Sequence, residues 1–123
     1  MTAPDSTPTL ALARRGERLA ARHLTSLGMA VLDLNWRCPH GEIDLVLRDG
    51  DALVVCEVKT RRGSRFGDPL EAITHDKARR LRQLAAAYLL AGDHRCAQVR
   101  IDAVGILWLE GDLPTLRHVR GVA

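Results

Sequence analysis

From residue 10 to residue 27 apolar positions recur with a helical period, and Gly28 follows where a helix end favours glycine. With Glu17 as origin and 100° per residue, Leu10, Ala13, Ala20, Ala21 and Leu24 fall within roughly 60° of it and Leu27 about 80° away. Arg14, Arg15, Arg18 and Arg22 gather on a separate stripe. Glu17 is thus a carboxylate on an apolar stripe, a costly place unless something pairs with it. Residues 30–36, 41–48 and 52–60 read as three strands, the last two joined by the tight-turn signal Asp49-Gly50. Asp68-Pro69-Leu70-Glu71 has the features of a helix start, and Thr74 offers a second cap for a longer helix to about residue 91, ended by Gly92. That helix is expected to bury Leu81, Leu84, Ala85 and Tyr88 and to show Arg79, Arg82 and Gln83 to solvent. Residues 99–105 and 106–109 read as strand, 111–114 as a turn, and 116–119 as a last edge strand. The order predicts an α/β layer fold, one domain over residues 10–123 after a loose tail at 1–9.

The two central strands carry the chemistry. A turn centred on Asp49-Gly50 pairs Arg48 with Asp51, Leu47 with Ala52, Leu45 with Val54 and Asp44 with Val55. Side chains alternate between faces, so one face collects Ile43, Leu45, Leu47, Ala52, Val54, Cys56 and Val58. The other collects Glu42, Asp44, Val46, Arg48, Leu53, Val55, Glu57 and Lys59. A slip of one residue would mix the sets, which supports this pairing. In it Glu57 is a diagonal neighbour of Asp44, Lys59 lies two residues on, and Glu42 stands opposite Glu57, unfavourable for like charges without a cation.

Carboxylates grouped with one ammonium suit a hard divalent cation such as Mg²⁺ or Mn²⁺, which takes oxygen ligands and keeps several waters. Such an ion polarises a phosphate oxygen and lowers the pKa of a bound water, and a lysine beside it can orient that water or meet the growing negative charge. The pattern suggests metal-assisted phosphodiester hydrolysis. Read plainly, Glu-x-Lys on an exposed strand face is a solvated charge pair. Glu17 weighs against that reading if its helix lies over the same sheet.

Composition narrows the field. The chain has 123 residues, 46% of them apolar, which suits one globular core and argues against wholesale disorder. Its longest apolar run, residues 84–91, is eight residues, against roughly 20 for a membrane-spanning helix, so no membrane association is expected. The opening residues carry neither a basic segment nor a long greasy one, and a cytoplasmic location is expected. Cys38, Cys56 and Cys96 form no Cys-x-x-Cys pair, and Cys38 with His40 lacks two further ligands nearby, so neither a disulfide framework nor a zinc site is indicated. The net charge of +3 is ordinary, but 16 Arg against 2 Lys favours groups that grip phosphates.

The motifs Gly16-Glu17-x-x-Ala20, Asn35-Trp36-Arg37, Gly41-Glu42-Ile43-Asp44-Leu45-Val46, Glu57-Val58-Lys59-Thr60-Arg61 and Phe66-Gly67 resemble the YraN family of bacterial proteins, in order, across about residues 14–104. That family is placed in the PD-(D/E)XK, or restriction-endonuclease-like, superfamily, similar to archaeal Holliday junction resolvases. The resemblance implies a central mixed sheet flanked by helices, an α-β-β-β-α-β core, and a metal-dependent nuclease site. It implies Asp44 and Glu57 as metal ligands with the backbone carbonyl of Val58, Lys59 as the catalytic lysine, and Glu17 as the helix acid completing the site. Ile43 stands where the superfamily's name has Pro, and Arg100-Ile101-Asp102 where most relatives have Arg-Phe-Asp.

Arg61, Arg62 and Arg65 follow the lysine in a Gly- and Ser-bearing loop, suited to phosphates or simply a basic loop. Phe66 packs that loop or stacks on a base. Lys77 projects with Leu81, Leu84 and Tyr88, toward the carboxylates or a phosphate, or snorkels over the core edge; Arg80 joins it or faces solvent. Trp36 and Trp108 read as core or interface. His23, His75, His94 and His118 show no catalytic partner, and Asp102 is an isolated acid. The expectation is a Mg²⁺- or Mn²⁺-dependent DNA endonuclease, favouring branched DNA by analogy and acting as a homodimer as many relatives do. The alternatives are a nucleic-acid-binding module with an idle nuclease site and a protein-interaction domain whose acids are ordinary surface.

Overall fold

A computed structural model describes residues 9–63, 67–109, 111 and 113–122. Eight segments form in order: α1 (Leu10–Ser26), β1 (Ala30–Cys38), β2 (Gly41–Asp49), β3 (Ala52–Arg61), a short 3-10 helix (Pro69–Ala72), α2 (His75–Gly92), β4 (Gln98–Leu107) and β5 (Thr115–Val119). The five strands make one sheet in sequence order, with β3 and β4 parallel and the other pairs antiparallel. Parallel neighbours need a long crossover, and α2 supplies it. This is the expected α/β, restriction-endonuclease-like core of helix, three strands, helix and strand, with β5 added as an edge strand.

The helix starts follow their caps. Thr9, expected in the loose tail, accepts the Leu12 N–H through its hydroxyl at 3.1 Å and opens α1; residues 1–8 of that tail lie outside the described residues. Both candidate starts near residue 70 are used. Asp68 caps the 3-10 helix and Thr74 caps α2, its hydroxyl taking the Lys77 N–H at 3.2 Å. The two strand segments expected after α2 are one continuous β4.

The helices cover opposite faces of the sheet. Ala20 and Leu24 of α1 pack with Leu45, Leu47, Val54, Cys56, Val58, Val104 and Ile106. Leu81, Leu84, Ala85 and Tyr88 of α2 pack with Ile43, Val46, Leu53, Val55 and Ile101. Cover on both sides explains why β3 is apolar on both faces and buried from Ala52 to Val58. Tyr88 also ties α2 to β1, donating to Asp33 Oδ2 at 2.8 Å. Its burial and this bond push the phenol up to about 12.

Three sequence expectations need correction. The β2–β3 ladder pairs Asp49 with Ala52 and runs to Leu45 with Cys56, two residues off the expected register. The turn residues are therefore Gly50 and Asp51, with Gly50 in the left-handed region at φ 59°. A shift of two preserves faces but changes partners. The ladder ends at Leu45 and Cys56, short of Asp44 and Glu57. Second, Ile43 packs on the α2 side, not with Leu45 and Leu47, so β2 loses its alternation at Asp44. Opposite this break, Asn35 of β1 takes the left-handed conformation, φ 51°, which Asn tolerates better than most residues. Third, Leu10 and Leu27 are exposed at the ends of α1, and Leu12 and Gly16 are buried instead. Gly16 is there because the helix touches the sheet: a Cβ on it would stand 2.0 Å from Thr60 Oγ1.

Candidate active site

The break in β2 is where the acids gather. Asp44 leaves the ladder and its Oδ2 accepts the backbone N–H of Val58 at 2.9 Å, a donor that a regular strand would satisfy with a carbonyl. Burial, then the charge of Glu57, and more weakly those of Glu17 and Glu42, push the Asp44 carboxyl up to about 7 against the pull of that N–H. Asp44 therefore feels the charges of three other carboxylates, from α1, β2 and β3.

Three of the four have cationic partners. Glu57, 5% exposed, offers Oε1 to two ammonium groups, Lys77 Nζ at 3.2 Å and Lys59 Nζ at 3.5 Å. Glu17, 7% exposed, is paired with Arg14 at 3.1 Å and takes a hydrogen bond from Asn35 Nδ2. Glu42 lies 3.5 Å from both Arg14 and Arg37, its neighbour across the β1–β2 hairpin. Among the described residues Asp44 is in no ion pair.

The oxygen donors match the taste of a hard divalent cation. The half-buried Asp44 carboxyl, crowded by like charges and without a counter-ion among the described residues, is the observation that fits such an ion. Yet among the described residues no group of three His, Cys, Asp or Glu side chains is arranged so that it could hold a metal ion. The physical reason is in the contacts above: oxygens suited to a cation are held by Arg14, Asn35, Lys59, Lys77 and the Val58 N–H.

Of the residues expected at the site, Asp44 bonds the Val58 N–H and Lys59 pairs with Glu57, while Glu17 is held by Arg14 and Asn35 and reaches Asp44 only through its charge. Lys77 joins them from the first turn of α2 and reaches Glu57 itself. Arg61 ends β3 and Arg62 is exposed just beyond it, while Arg65 and Phe66 lie outside the described residues. Arg80 is exposed and borders an open groove with His40 and Gln83.

Two residues of the site were not foreseen. Arg14, assigned to a separate basic stripe, turns to Glu17, a pairing its i,i+3 spacing allows. Asn35 was visible only as part of Asn35-Trp36-Arg37, and a polar residue between two apolar ones on a strand was its signal.

Away from the site, Asp102 is anything but isolated. It is fully buried and accepts from Arg100 Nε at 2.8 Å, Arg100 Nη2 at 3.1 Å and the Gly121 N–H at 3.2 Å. His118 Nε2 stands 2.9 Å from it, a partner the sequence did not reveal. Burial pushes Asp102 up, but these bonds outweigh it and hold the carboxyl below its usual range. The cluster ties β5 and the turn after it to β4, a structural task. Trp36 packs edge-on against Tyr88 with ring centres 5.2 Å apart, and Trp108 lies under Arg15 at 4.5 Å. Among the described residues no helix is long and apolar enough to cross a membrane.

Comparison with known proteins gives one consistent family. The model of a group described as "Uncharacterised protein family UPF0102" matches residues 16–106. A UPF0102 protein of Acidothermus cellulolyticus is 54% identical over 121 residues, covering 90% of this chain and 92% of the relative. One from Streptomyces coelicolor is 56% identical over 115 residues, covering 92% and 88%. One from a Nocardioides species is 53% identical over 112 residues, covering 91% and 90%.

Proposed function

The chain belongs to the uncharacterised protein family UPF0102, the YraN-like family its motifs resemble, and from that premise we propose that it is a Mg²⁺- or Mn²⁺-dependent endodeoxyribonuclease of the PD-(D/E)XK kind, similar in site layout to archaeal Holliday junction resolvases. The observation that carries this reading is Asp44: a half-buried carboxyl of β2 that bonds the Val58 N–H of β3, feels the charge of Glu57, and among the described residues has no ion-pair partner.

Asp44 and Glu57, with Glu17 and the Val58 carbonyl, would hold the cation. When bound, it polarises a phosphate oxygen and lowers the pKa of a water. Lys59 Nζ, 3.5 Å from Glu57 Oε1, keeps a positive charge beside the reacting group, where it orients the attacking water or meets the charge growing on phosphorus oxygens. Asn35 and Arg14 fix the orientation of Glu17. Arg61 and Arg62 beyond Lys59, and Arg80 with His40 along the groove, suit DNA phosphates. By analogy with the resolvases, branched DNA is the leading substrate. Two symmetric cuts in such DNA would call for a homodimer.

A second reading, a DNA-binding module with an idle site, draws on one observation: among the described residues no three acids stand ready for a metal ion. Substitution separates the two. Lys59→Ala and Glu57→Ala should abolish cleavage of a labelled four-way junction while leaving its binding largely intact. Wild-type protein that binds the junction but leaves it whole in Mn²⁺ favours the idle site.

A further inference from the structure

Of the four arginines striped along α1, only Arg14 turns to the acids. Arg15, Arg18 and Arg22 are exposed, on the side of the helix away from the buried Leu12, Gly16, Ala20 and Leu24. Among the described residues none of the three is in an ion pair, whereas Arg37, Arg79, Arg100, Arg117 and Arg120 all are. The helix has no acid but Glu17, which is buried and taken. Like charges three and four residues apart repel along a helix, and the chain offers these three no carboxylate in return.

The row also leads somewhere. The Arg15 guanidinium lies 4.5 Å from the ring centre of the half-buried Trp108. The Trp108 N–H donates to the Arg61 carbonyl at 2.8 Å. The arginines of α1 therefore run on to Arg61 and the exposed Arg62 at the end of β3, two residues past Lys59. From Arg15 to Arg22 the helix rises about 10 Å, the span of about three phosphates along one DNA strand. A guanidinium fork grips phosphate with two bonds, and one held on a ring has less freedom to lose.

We propose that the outer face of α1, continued through Trp108, is a track for the DNA backbone that leads one duplex arm to the end of β3. It lies across the sheet from the groove of Arg80 and His40, because α1 and α2 cover opposite faces. The proposal rests on the reading of DNA as the partner and needs no metal ion. The track meets phosphates rather than base edges, so binding through it is strongly salt-dependent and indifferent to sequence.

The test is filter binding of a labelled four-way junction by the full chain in EDTA, from about 50 to about 200 mM NaCl. Arg18→Ala/Arg22→Ala should lower the slope of log K against log salt by about 1.8 and cost at least about tenfold in affinity at about 0.1 M salt. Arg117→Ala/Arg120→Ala removes the same charge from arginines already paired with Asp68 and Asp49, and should change the slope by less than about 0.5. The α1 variant should unfold no earlier than wild type on heating, since it relieves repulsion and alanine favours helix, so its lost affinity is not a lost fold. In Trp36→Phe protein, where Trp108 is the sole tryptophan, saturating junction should quench the emission. An unchanged slope in the α1 variant, equal losses in the two double variants, or unaltered Trp108 emission overturns the track. If wild type binds the junction and the α1 variant binds it equally well, the track alone fails. If wild type binds no DNA even at about 50 mM salt, the reading of DNA as partner fails with it.

Discussion

Asp44 and Val58 are joined by a bond that is structural and chemical at once: the carboxylate Oδ2 stands in for a strand carbonyl on the Val58 N–H, at 2.9 Å. The ladder between β2 and β3 stops at Leu45 and Cys56, and the next backbone donor is met by a side chain instead. This fastens the acid of one strand to the strand that carries Glu57 and Lys59, so the distance between them is set by the fold rather than by side-chain rotamers.

That placement has a pH signature. The folded chain holds the Asp44 proton more tightly than the unfolded chain, with the group raised from 3.8 to about 7. The contribution of protonated Asp44 to stability is therefore full below about pH 4 and is lost as pH rises through about 7. Asp44→Asn keeps an acceptor for the Val58 N–H and cannot ionise. In chelator-treated protein, guanidinium midpoints at pH 5.5 and 8 should fall for wild type by more than for Asp44→Asn. Parallel pH profiles for the two would remove the claim that Asp44 is crowded and unneutralised.

Gly16 should tolerate no side chain. A Cβ there meets Thr60 Oγ1 at 2.0 Å and its Cβ and Cγ2 at 3.2 and 3.3 Å, so turning the threonine only exchanges one clash for another. Gly16→Ala should cost roughly 1–3 kcal/mol despite the better helix propensity of alanine. Thr60→Ala in the same chain should recover part of that loss, because it clears Oγ1 and Cγ2, and Oγ1 has no hydrogen-bond partner among the described residues to forfeit. Thermal unfolding of the two single variants and the double variant measures this; an additive double variant would mean that α1 does not touch β3 at this point.

Asp102→Ala should be the most damaging single change outside the site. It removes the shared acceptor of Arg100, His118 and the Gly121 N–H from a fully buried position. Breaking a buried pair in this way costs about 3–5 kcal/mol. Urea unfolding should show that loss, and hydrogen exchange should show β5 amides opening first, since β5 is the edge strand the cluster holds. A loss under about 1 kcal/mol would contradict the network.

The elements, and the nearness of Asp44 to the strand that carries Glu57 and Lys59, were legible in the sequence because both follow from period and order. Helical spacing, capping by Asp68 and Thr74, and two adjacent strands placed α1, β2, β3 and α2 correctly. From Leu45 onward, face assignment survived an error of two residues in register because side chains alternate with period two. What periodicity cannot express is a local departure from it. The left-handed Asn35, the switch of Ile43 to the other face and the capture of Val58 N–H by Asp44 are such departures, and they build the site. The Asp102 cluster was hidden for another reason: its members lie on two strands and the turn after the last, and no local spacing joins Asp102 to His118 and Gly121.

The central claim, that these acids take a divalent cation in order to cut DNA, is tested most directly on a panel of labelled DNAs, linear, flapped and four-way, incubated with the purified full chain in Mn²⁺, Mg²⁺ or EDTA beside Asp44→Ala. The account predicts cleavage by wild type in Mn²⁺ or Mg²⁺, strongest on branched DNA, absent in EDTA and absent with Asp44→Ala. Cleavage that persists equally in Asp44→Ala, or no cleavage of any DNA by the wild type in either metal, contradicts it.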